Sequence, residues 1–279
     1  VAVKGAQQAT GIQQSENRVY VPVTRREFDD DSSPAGGGEW HPVESWTVEA
    51  EFVIGADGYD SVVRRALGVD FIEFGRPQAF AIFEFKADEA AGREMKLAFP
   101  DELGSALTPL PEGRARWSFQ VASELSTFAD VWRLHSLLAE RAPWYGSRPA
   151  AVDWGTVTDF ERRLVRRFGK GRVWLAGDAA HVTYPFGGQS MNVGMQEAHE
   201  LSERIADCLK GGKSPEALEQ YDVGRQREWH KLLGSNGHVD VLPHAPKWLS
   251  SCAPSILPAL PASGRDLDRL LGELGVTVG

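Results

Sequence analysis

The N-terminal segment has the two-residue period of apolar positions that is typical of half-buried strands. Val19, Val21 and Val23 occupy alternate positions, with less apolar residues between them. The polar, glycine-rich run 29–38 predicts a turn, and residues 46–54 predict a returning strand that ends in an apolar run. We therefore expect this segment to be built from strands.

The middle of the chain predicts antiparallel sheet followed by a helix. Residues 70–122 contain short apolar runs and alternating aromatic positions, of which Trp117 and Phe119 are the clearest. Residues 125–141 have helical spacing, and 152–161 predict a further strand. The side chains expected to face inward from this helix are Leu125, Phe128, Val131, Trp132, Leu134 and Leu138.

A long helix is predicted to begin near Ser190, after a short buried strand over 173–176. Its apolar positions recur every three or four residues, and the Lys-Gly-Gly run at 210–212 is a typical helix end. The positions expected to form one buried face are Met191, Met195, Ala198, Leu201, Ile205 and Leu209. The segment 243–263 predicts irregular structure, and 266–274 predicts a short final helix.

The composition excludes some classes of function. The chain has 30 Lys and Arg residues against 39 Asp and Glu, a formal net charge of −9, which argues against nucleic-acid binding. Hydrophobic residues make up 42% and charged residues 25%, as in globular domains. No apolar run reaches the ~18–20 residues of a membrane helix. Cys208 and Cys252 form no CxxC pair, which predicts a reducing, cytoplasmic compartment.

A first candidate motif follows a short apolar strand. Gly55 and Gly58 flank Asp57 in the sequence GADG. A helix is predicted to begin after Ser61, its N-cap, and to end near Gly68. An ordinary connection between a strand and a helix explains these residues equally well.

A second motif joins the predicted strand at 173–176 to the long helix. The strand delivers Asp178 at its carboxyl end, where α/β folds bind ligands, and a carboxylate there can accept hydrogen bonds from sugar-like hydroxyls. Gly187 and Gly188 allow backbone N–H groups to approach a planar ligand closely. The helix behind them directs its positive end towards that ligand, which suits a ring that gains negative charge on reduction. A plain strand–loop–helix connection explains this longer run less well.

The two motifs, in this order, resemble those of class A FAD-dependent monooxygenases, which have the para-hydroxybenzoate hydroxylase fold. GADGYDSVVR resembles the family's DG motif, and GDAAH followed by PFGGQSMNVG resembles its second flavin motif. Residues 162–169, the helix through Tyr221 and Arg225, and the segment PLPEGRARWSFQV also fit the family. The resemblance covers roughly residues 1–240.

The resemblance implies an α/β fold. A partial, Rossmann-like FAD-binding domain is combined with a mainly antiparallel β-sheet substrate domain with helices. The implied division is an FAD-binding part with the DG motif at 1–69, a substrate domain at 70–165, a second FAD-binding part with the GD motif and the long helix at 166–240, and a C-terminal extension at 241–279.

The same resemblance implies FAD as cofactor and NAD(P)H as co-substrate. One oxygen atom of O₂ would enter a small hydrophobic substrate, aromatic or polyketide-like. Because the cofactor carries the hard chemistry, no residue is assigned as catalytic, and no metal is expected. The sheet around residues 80–120 is expected to cover the substrate pocket.

The resemblance also assigns cofactor-binding residues. Asp178 is expected to hold the ribityl chain, and Asp57 and Gly58 to lie near the pyrophosphate and the path of the nicotinamide nucleotide. The residues expected around the isoalloxazine are Pro185, Gly187, Gly188, Ser190, Met191 and Asn192. Ser190 stands where many family members have glycine, which adds a hydroxyl near the ring loop.

The GxGxxG unit with which this family begins is not found in the sequence. Residues 1–18 are too few for the βαβ unit of ~30 residues that binds a dinucleotide. We therefore expect the chain to be a fragment or truncated product of a monooxygenase. A short protein that has lost flavin chemistry is the alternative.

Other classes of function fit the residues less well. Ser190 resembles a hydrolase nucleophile, but Asn192 replaces the small residue that a nucleophile elbow needs. His199 begins an HExxH-like run that ends in Glu203, so the second zinc ligand is absent. His181 is expected to be structural rather than a catalytic base. A flavin-fold reductase and a non-catalytic binding module stay open, and the colour of the purified protein would separate the binding module from the flavoenzymes.

Overall fold

The computed structural model divides into two compact units. The first comprises Val1–Ile72, Leu164–Val182 and Val193–Arg227, and the second comprises Glu73–Arg163, Thr183–Asn192 and Glu228–Gly279. Across both units, the structure describes residues 2–29, 38–88, 91–99, 103–122, 129–185, 189–233, 239–243, 245–250, 260 and 262–278.

Strands predominate in the first part of the chain and helices in the last. The strands are β1 (Gln7–Ala9), β2 (Gln13–Gln14), β3 (Val19–Asp29), β4 (Glu39–Ala50), β5 (Val53–Gly55), β6 (Phe71–Glu73), β7 (Gln78–Lys86), β8 (Lys96–Ala98), β9 (Ser105–Leu110), β10 (Arg114–Val121), β11 (Trp154–Phe160), β12 (Arg163–Val165), β13 (Gly169–Lys170), β14 (Val173–Leu175), β15 (His181–Val182), β16 (Val239–Val241) and β17 (Val276–Val278). The α-helices are α1 (Val62–Ala66), α2 (Val131–Arg141), α3 (Gln189–Leu209), α4 (Glu219–Leu232) and α5 (Gly264–Leu274). This mixture, with mainly antiparallel pairing, confirms the predicted α/β class.

In the first unit, the longest strands, β3 and β4, form an antiparallel hairpin that β1 and β2 extend along β3. Val19 and Val21 are buried on one side of β3, as their alternation predicts. The predicted strand at 46–54 is wrong in one respect, because β4 ends at Ala50 and β5 begins at Val53. The chain leaves the hairpin there because β5 pairs with β14 in a different sheet. Most of the predicted turn at 29–38 lies outside the described residues.

The second unit is built on an antiparallel sheet in the order β11-β7-β10-β9-β8, which confirms the sheet predicted at 70–122. Alternate residues of each strand point to opposite faces of the sheet. One face, with Phe83, Trp117 and Phe119, packs against α2 in a large apolar core. The other face carries a smaller apolar cluster that includes Phe80 and Ile82.

Helix α2 begins later than the sequence predicts. Asp130 has extended backbone angles, and its side chain accepts a hydrogen bond from the backbone N–H of Arg133 at 2.8 Å, so it is the N-cap. Leu134 and Leu138 are buried as predicted, but Trp132 is 78% exposed and the inward orientation predicted for it is wrong. Residues 123–128, where this helix was predicted to begin, lie outside the described residues.

Helix α3 buries a different face from the one that its apolar residues predict. Met191 and Met195 are 60% and 62% exposed. The buried series is Val193, Glu197, Leu201 and Ile205, with a spacing of four residues. The prediction is therefore right at Leu201 and Ile205 and wrong at the N-terminal half and at Leu209, which is half exposed. Gly211 has φ +75°, which fits the predicted helix end.

The last part of the chain contains a helix and a strand pair. Helix α5 begins at Gly264, two residues before the predicted start, and buries Leu267 and Leu271. Strands β16 and β17, which the sequence did not predict, pair antiparallel. Most of the predicted irregular segment 243–263 lies outside the described residues.

The two units and the four predicted domains differ mainly near the C-terminus. The second unit spans 73–163, close to the predicted substrate domain at 70–165. It also includes 183–192 and 228–279, which the sequence assigned to the second FAD-binding part and to a separate extension. The cofactor and substrate roles of these domains stay predictions.

Two residues of α2 test the assignment of its faces. We expect Leu134→Ala to lower the free energy of unfolding by about 2–5 kcal/mol, because Leu134 is fully buried in the large core. Trp132→Ala should change the same quantity by less than about 0.5 kcal/mol, because Trp132 is mainly exposed. Urea unfolding followed by circular dichroism measures both. Equal losses in the two variants would contradict the assignment.

Candidate functional site

The two candidate motifs begin at the same edge of one sheet. Strands β5 and β14 pair in parallel, with Val53 opposite Val173 and Gly55 opposite Leu175. The backbone N–H of Ala176 donates to the carbonyl oxygen of Gly55 at 2.9 Å, which continues the pairing past the end of β14. The motif residues therefore leave the sheet side by side, at the carboxyl ends of adjacent parallel strands, where ligands bind in α/β folds.

The carboxylate of Asp57 organises the loop in which it lies. Ser61 Oγ donates to Asp57 Oδ1 at 2.5 Å, and the backbone N–H groups of Val62 and Val63 donate to Oδ2 at 2.7 and 3.2 Å. Ser61 Oγ also accepts from the backbone N–H of Arg64 at 2.9 Å, which confirms Ser61 as the N-cap of α1. Both oxygens of Asp57 thus stabilise the start of α1, and the predicted proximity of Asp57 to a pyrophosphate stays a prediction.

Three glycines shape the space around this edge. A Cβ at Gly55 would lie 2.5 Å from the Cβ of Val63, so α1 packs on β5 only because position 55 has no side chain. Gly58 and Gly177 have φ angles of +77° and +63°, which favour glycine. No described atom lies within 4 Å of a Cβ built at either position. Both loops therefore present open backbone on this edge.

Arg64 joins the two motif loops. Its guanidinium is buried, and it donates from Nη2 to the carbonyl oxygen of Tyr59 at 2.7 Å and from Nη1 to that of Ala179 at 3.2 Å. The same group lies 4.0 Å from the centroid of the Phe71 ring. Burial lowers the pKa of Arg64, and the neighbouring charge of Arg65 lowers it further. The carbonyl contacts offset part of the cost of this buried cation.

A 3-10 turn holds Asp178 outward. The turn spans Gly177–Ala179 and closes with a hydrogen bond from the backbone N–H of Ala180 to the carbonyl oxygen of Gly177 at 2.8 Å. Ala179 and Ala180 are fully buried, whereas Asp178 is exposed. The turn therefore presents a carboxylate at the strand end, as the sequence predicts.

A fully buried pair fixes the end of this turn to α3. His181 Nε2 lies 2.6 Å from Glu197 Oε2, and both side chains have no exposed surface. The His181 ring also packs on Phe168, with ring centroids 6.2 Å apart. A Cβ built at Gly194 would lie 3.7 Å from the Cε1 atom of His181 and 3.8 Å from the Cα atom of Gly177, so α3 passes close behind the motif. This geometry agrees with a structural His181.

A family model described as an FAD binding domain matches residues 9–234, most of the chain. The chain belongs to the FAD binding domain family. FAD is the cofactor of this family, as the sequence predicts.

Relatives of the chain include proteins named as monooxygenases. The 6-methylpretetramide 4-monooxygenase of Streptomyces rimosus is 30% identical over 192 residues, which are 67% of this chain and 34% of the relative. The pentachlorophenol 4-monooxygenase of Sphingobium chlorophenolicum is 30% identical over 213 residues, 67% of this chain and 36% of the relative. The chain thus spans about a third of the length of these relatives.

A solved structure with a similar fold is the OxyS anhydrotetracycline hydroxylase from Streptomyces rimosus. It has a TM-score of 0.59 and 25% identity, and the match covers 96% of this chain and 48% of the hydroxylase. The p-nitrophenol 4-monooxygenase PnpA from Pseudomonas putida DLL-E4 has a TM-score of 0.60 at 20% identity, over 96% of this chain and 62% of that protein, which shows the shared fold.

The residues at the sheet edge of this FAD-binding-domain chain fit a cofactor with a sugar-like chain. Asp178 offers a carboxylate at the strand end, and Gly58 and Gly177 leave space for close approach of a ligand to the backbone. Within the described ranges, no group of three or more His, Cys, Asp or Glu residues is placed to hold a metal ion. His199 is exposed and lies 3.7 Å from Glu203, on the solvated face of α3.

The residues predicted to surround the flavin ring belong to the second unit of this family member. Pro185 and Ser190 are partly buried, and Met191 and Asn192 are exposed. Gly187 and Gly188 lie outside the described residues, so the ring loop itself has no described geometry. The contact of all these residues with a flavin ring stays a prediction.

The structure assigns positions that the sequence did not identify. Arg64 is part of the first motif, but its contact with Ala179 depends on the pairing of two distant strands. The sequence does contain a sign of the role of Glu197, which lies between Val193 and Leu201 in a series of buried positions spaced by four residues. A charged residue in such a series indicates a buried partner.

Two glutamates on α3 form a matched test of the buried pair. We expect Glu197→Ala to lower the free energy of unfolding by about 1–3 kcal/mol, because it removes one partner of a fully buried hydrogen bond. Glu203→Ala should have only a small fraction of that effect, because its contact with His199 is solvent-exposed. Thermal and urea unfolding of both variants provide the measurement. A mild effect of Glu197→Ala would show that the pair contributes little to the fold.

Proposed function

We propose that the chain functions in an FAD- and NAD(P)H-dependent monooxygenase that inserts one oxygen atom of O₂ into a small hydrophobic, aromatic or polyketide-like substrate. The observation that carries this proposal is the parallel pairing of β5 with β14, which brings the two flavin motifs to one edge. The relatives described above are monooxygenases, which supports an oxidoreductase over a non-catalytic binding module. The region that matches this chain is about a third of each relative, so the activity of the relatives is a proposal for this chain.

Bound FAD would supply the redox chemistry that activates O₂, and the residues of the chain would bind and orient it. Asp178 would accept hydrogen bonds from ribityl hydroxyls, since an exposed carboxylate at a strand end is an acceptor for such donors. Gly58 and Gly177 would allow close approach of the cofactor to the backbone. Asp57 would act through the loop that its two oxygens organise.

The start of α3 would contribute to binding the flavin ring. The helix begins at Gln189, directly after the two glycines of the ring loop, and the positive end of a helix dipole lies at its start. Such a helix start favours negative charge on a nearby group. Ser190, Met191 and Asn192 follow in the first turn and would lie beside the ring.

The smaller apolar face of the sheet would receive the substrate. Phe80, Ile82, Ala106 and Tyr184 form a buried cluster there, and partly buried apolar residues pack around it. An apolar surface of this kind binds an aromatic ring by burial of its area and keeps water away from the reacting atoms. NAD(P)H as electron donor and a cytoplasmic location are parts of the same proposal.

None of the helices in the described ranges is both long and apolar enough to cross a membrane.

Substitution of Asp178 tests the assignment of the second motif. On the complete gene product, we expect Asp178→Ala to weaken FAD binding by about one to two powers of ten, because charge-assisted hydrogen bonds contribute roughly 1.5–3 kcal/mol. Asp178→Asn should cost less, since the amide oxygen still accepts. A titration followed by flavin fluorescence gives the affinities.

His199→Ala is the control for Asp178. It lies on the solvated face of α3, so the FAD affinity should not change. Thermal unfolding of each variant without FAD shows whether the fold is kept. Loss of affinity in His199→Ala with none in Asp178→Ala would overturn the flavin assignment.

A further inference from the structure

A tyrosine lies in the smaller apolar cluster of the second unit. Tyr184 is 91% buried among Phe80, Ile82 and Ala106, on the sheet face opposite α2. Its ring centroid lies 5.5 Å from that of Phe80. Tyr184 directly precedes Pro185, the first residue of the predicted ring loop. The cluster that would receive the substrate thus contains one phenol.

The hydroxyl proton of Tyr184 has no acceptor among the described residues, although the atom is buried. The buried Nε atom of Arg162 also has none there. A buried polar atom without a partner costs free energy of folding, and such atoms are rare in native proteins. A phenylalanine would fill the same space without that cost. The hydroxyl therefore calls for a reason other than stability.

Arg162 lies beside this phenol. Its guanidinium carbon is 5.0 Å from the centroid of the Tyr184 ring, and Nη1 donates to the carbonyl oxygen of Leu233 at 3.0 Å. Burial raises the pKa of Tyr184, and the positive charge of Arg162 and its side-chain hydrogen bond to the phenol oxygen oppose this rise in part. The phenol stays protonated at neutral pH, so it can donate a hydrogen bond.

The other buried members of the cluster cannot form a hydrogen bond with a polar atom of a ligand. The side chains of Phe80, Ile82 and Ala106 have no hydrogen-bonding atoms. At one end of the same face, Glu84 is paired with Arg114 at 2.8 Å and with Arg116 at 2.5 Å, so these charges compensate one another. The buried hydroxyl of Tyr184 can therefore donate its proton to a ligand.

We propose that Tyr184 is a specificity-determining residue whose hydroxyl donates a hydrogen bond to an oxygen atom on an aromatic ligand. The nearby charge of Arg162 favours an oxygen that carries partial negative charge. The proposal rests on the proposed function, because it takes the apolar face as the substrate face. It adds which residue distinguishes an oxygen-bearing ring from a plain one.

The test compares two probes that differ by one hydroxyl group. The probes are 4-nitrophenol, used below its pKa, and nitrobenzene, with binding measured by equilibrium dialysis against the complete gene product. We expect the wild-type protein to bind 4-nitrophenol about twofold to tenfold more tightly than nitrobenzene, the range of one net hydrogen bond. Tyr184→Phe should bind both probes equally.

Tyr145→Phe is the matched control. Tyr145 is also a buried tyrosine of the second unit. It packs in the large core on the other face of the sheet, so its loss should leave the preference for 4-nitrophenol intact. A wild-type protein without the preference, or a Tyr184→Phe variant that keeps it, would overturn the proposal.

Stability gives a second, independent readout. Tyr184→Phe keeps the ring and removes a hydroxyl whose proton has no acceptor among the described residues, so its Tm should be close to that of the wild type. A clearly lower Tm would show that the fold needs the hydroxyl and would also overturn the proposal. An FAD titration on the same samples separates the two hypotheses. A wild-type protein that does not bind FAD would contradict the proposed function. A wild-type protein that binds FAD but does not prefer 4-nitrophenol would contradict the role of Tyr184.

Discussion

Two strands of three residues each, β5 and β14, pair in parallel, and the arrangement of the candidate site depends on this pairing. The strands are distant in the sequence, and each is followed at once by a motif loop. Their parallel direction places both loops at one edge of the sheet, which an antiparallel pair would not do. Arg64 then connects the loops through carbonyl oxygens on each side. The site is thus an arrangement of backbone, which side chains keep in place.

Buried polar groups hold that arrangement at two places, and each of these groups has a partner nearby. Arg64 is surrounded by two carbonyl oxygens and the Phe71 ring, and His181 is paired with Glu197. Buried polar contacts of this kind add little net stability compared with apolar packing, but they are costly to break. They suit a site whose loops must keep one conformation while exposed backbone meets a ligand.

Local pattern predicted the elements whose environment is local. The strands β3 and β10, predicted from alternating residues, and the cap at Ser61 were found as expected. Predictions of which side chains are buried failed where a residue distant in the sequence determines the burial. The error at Trp132 has a different cause, because this residue is two positions from Leu134, about 200° around the helix at ~100° per residue, and so lies on the opposite face from the buried Leu134.

Helix α3 shows the effect of a distant residue. Met191 and Met195 look more apolar than Glu197, yet Glu197 is buried because His181 lies beside it. The contact of Arg64 with Ala179 needed the β5–β14 pairing in the same way. Within the first motif, the cap at Ser61 was predictable because it acts on its own loop. Gly55 admits α1, Asp57 and Ser61 cap it, and only the outward positions are left for a ligand. A motif of this kind is specific because most of its residues meet internal requirements of geometry, and the few that face outward are then fixed in position.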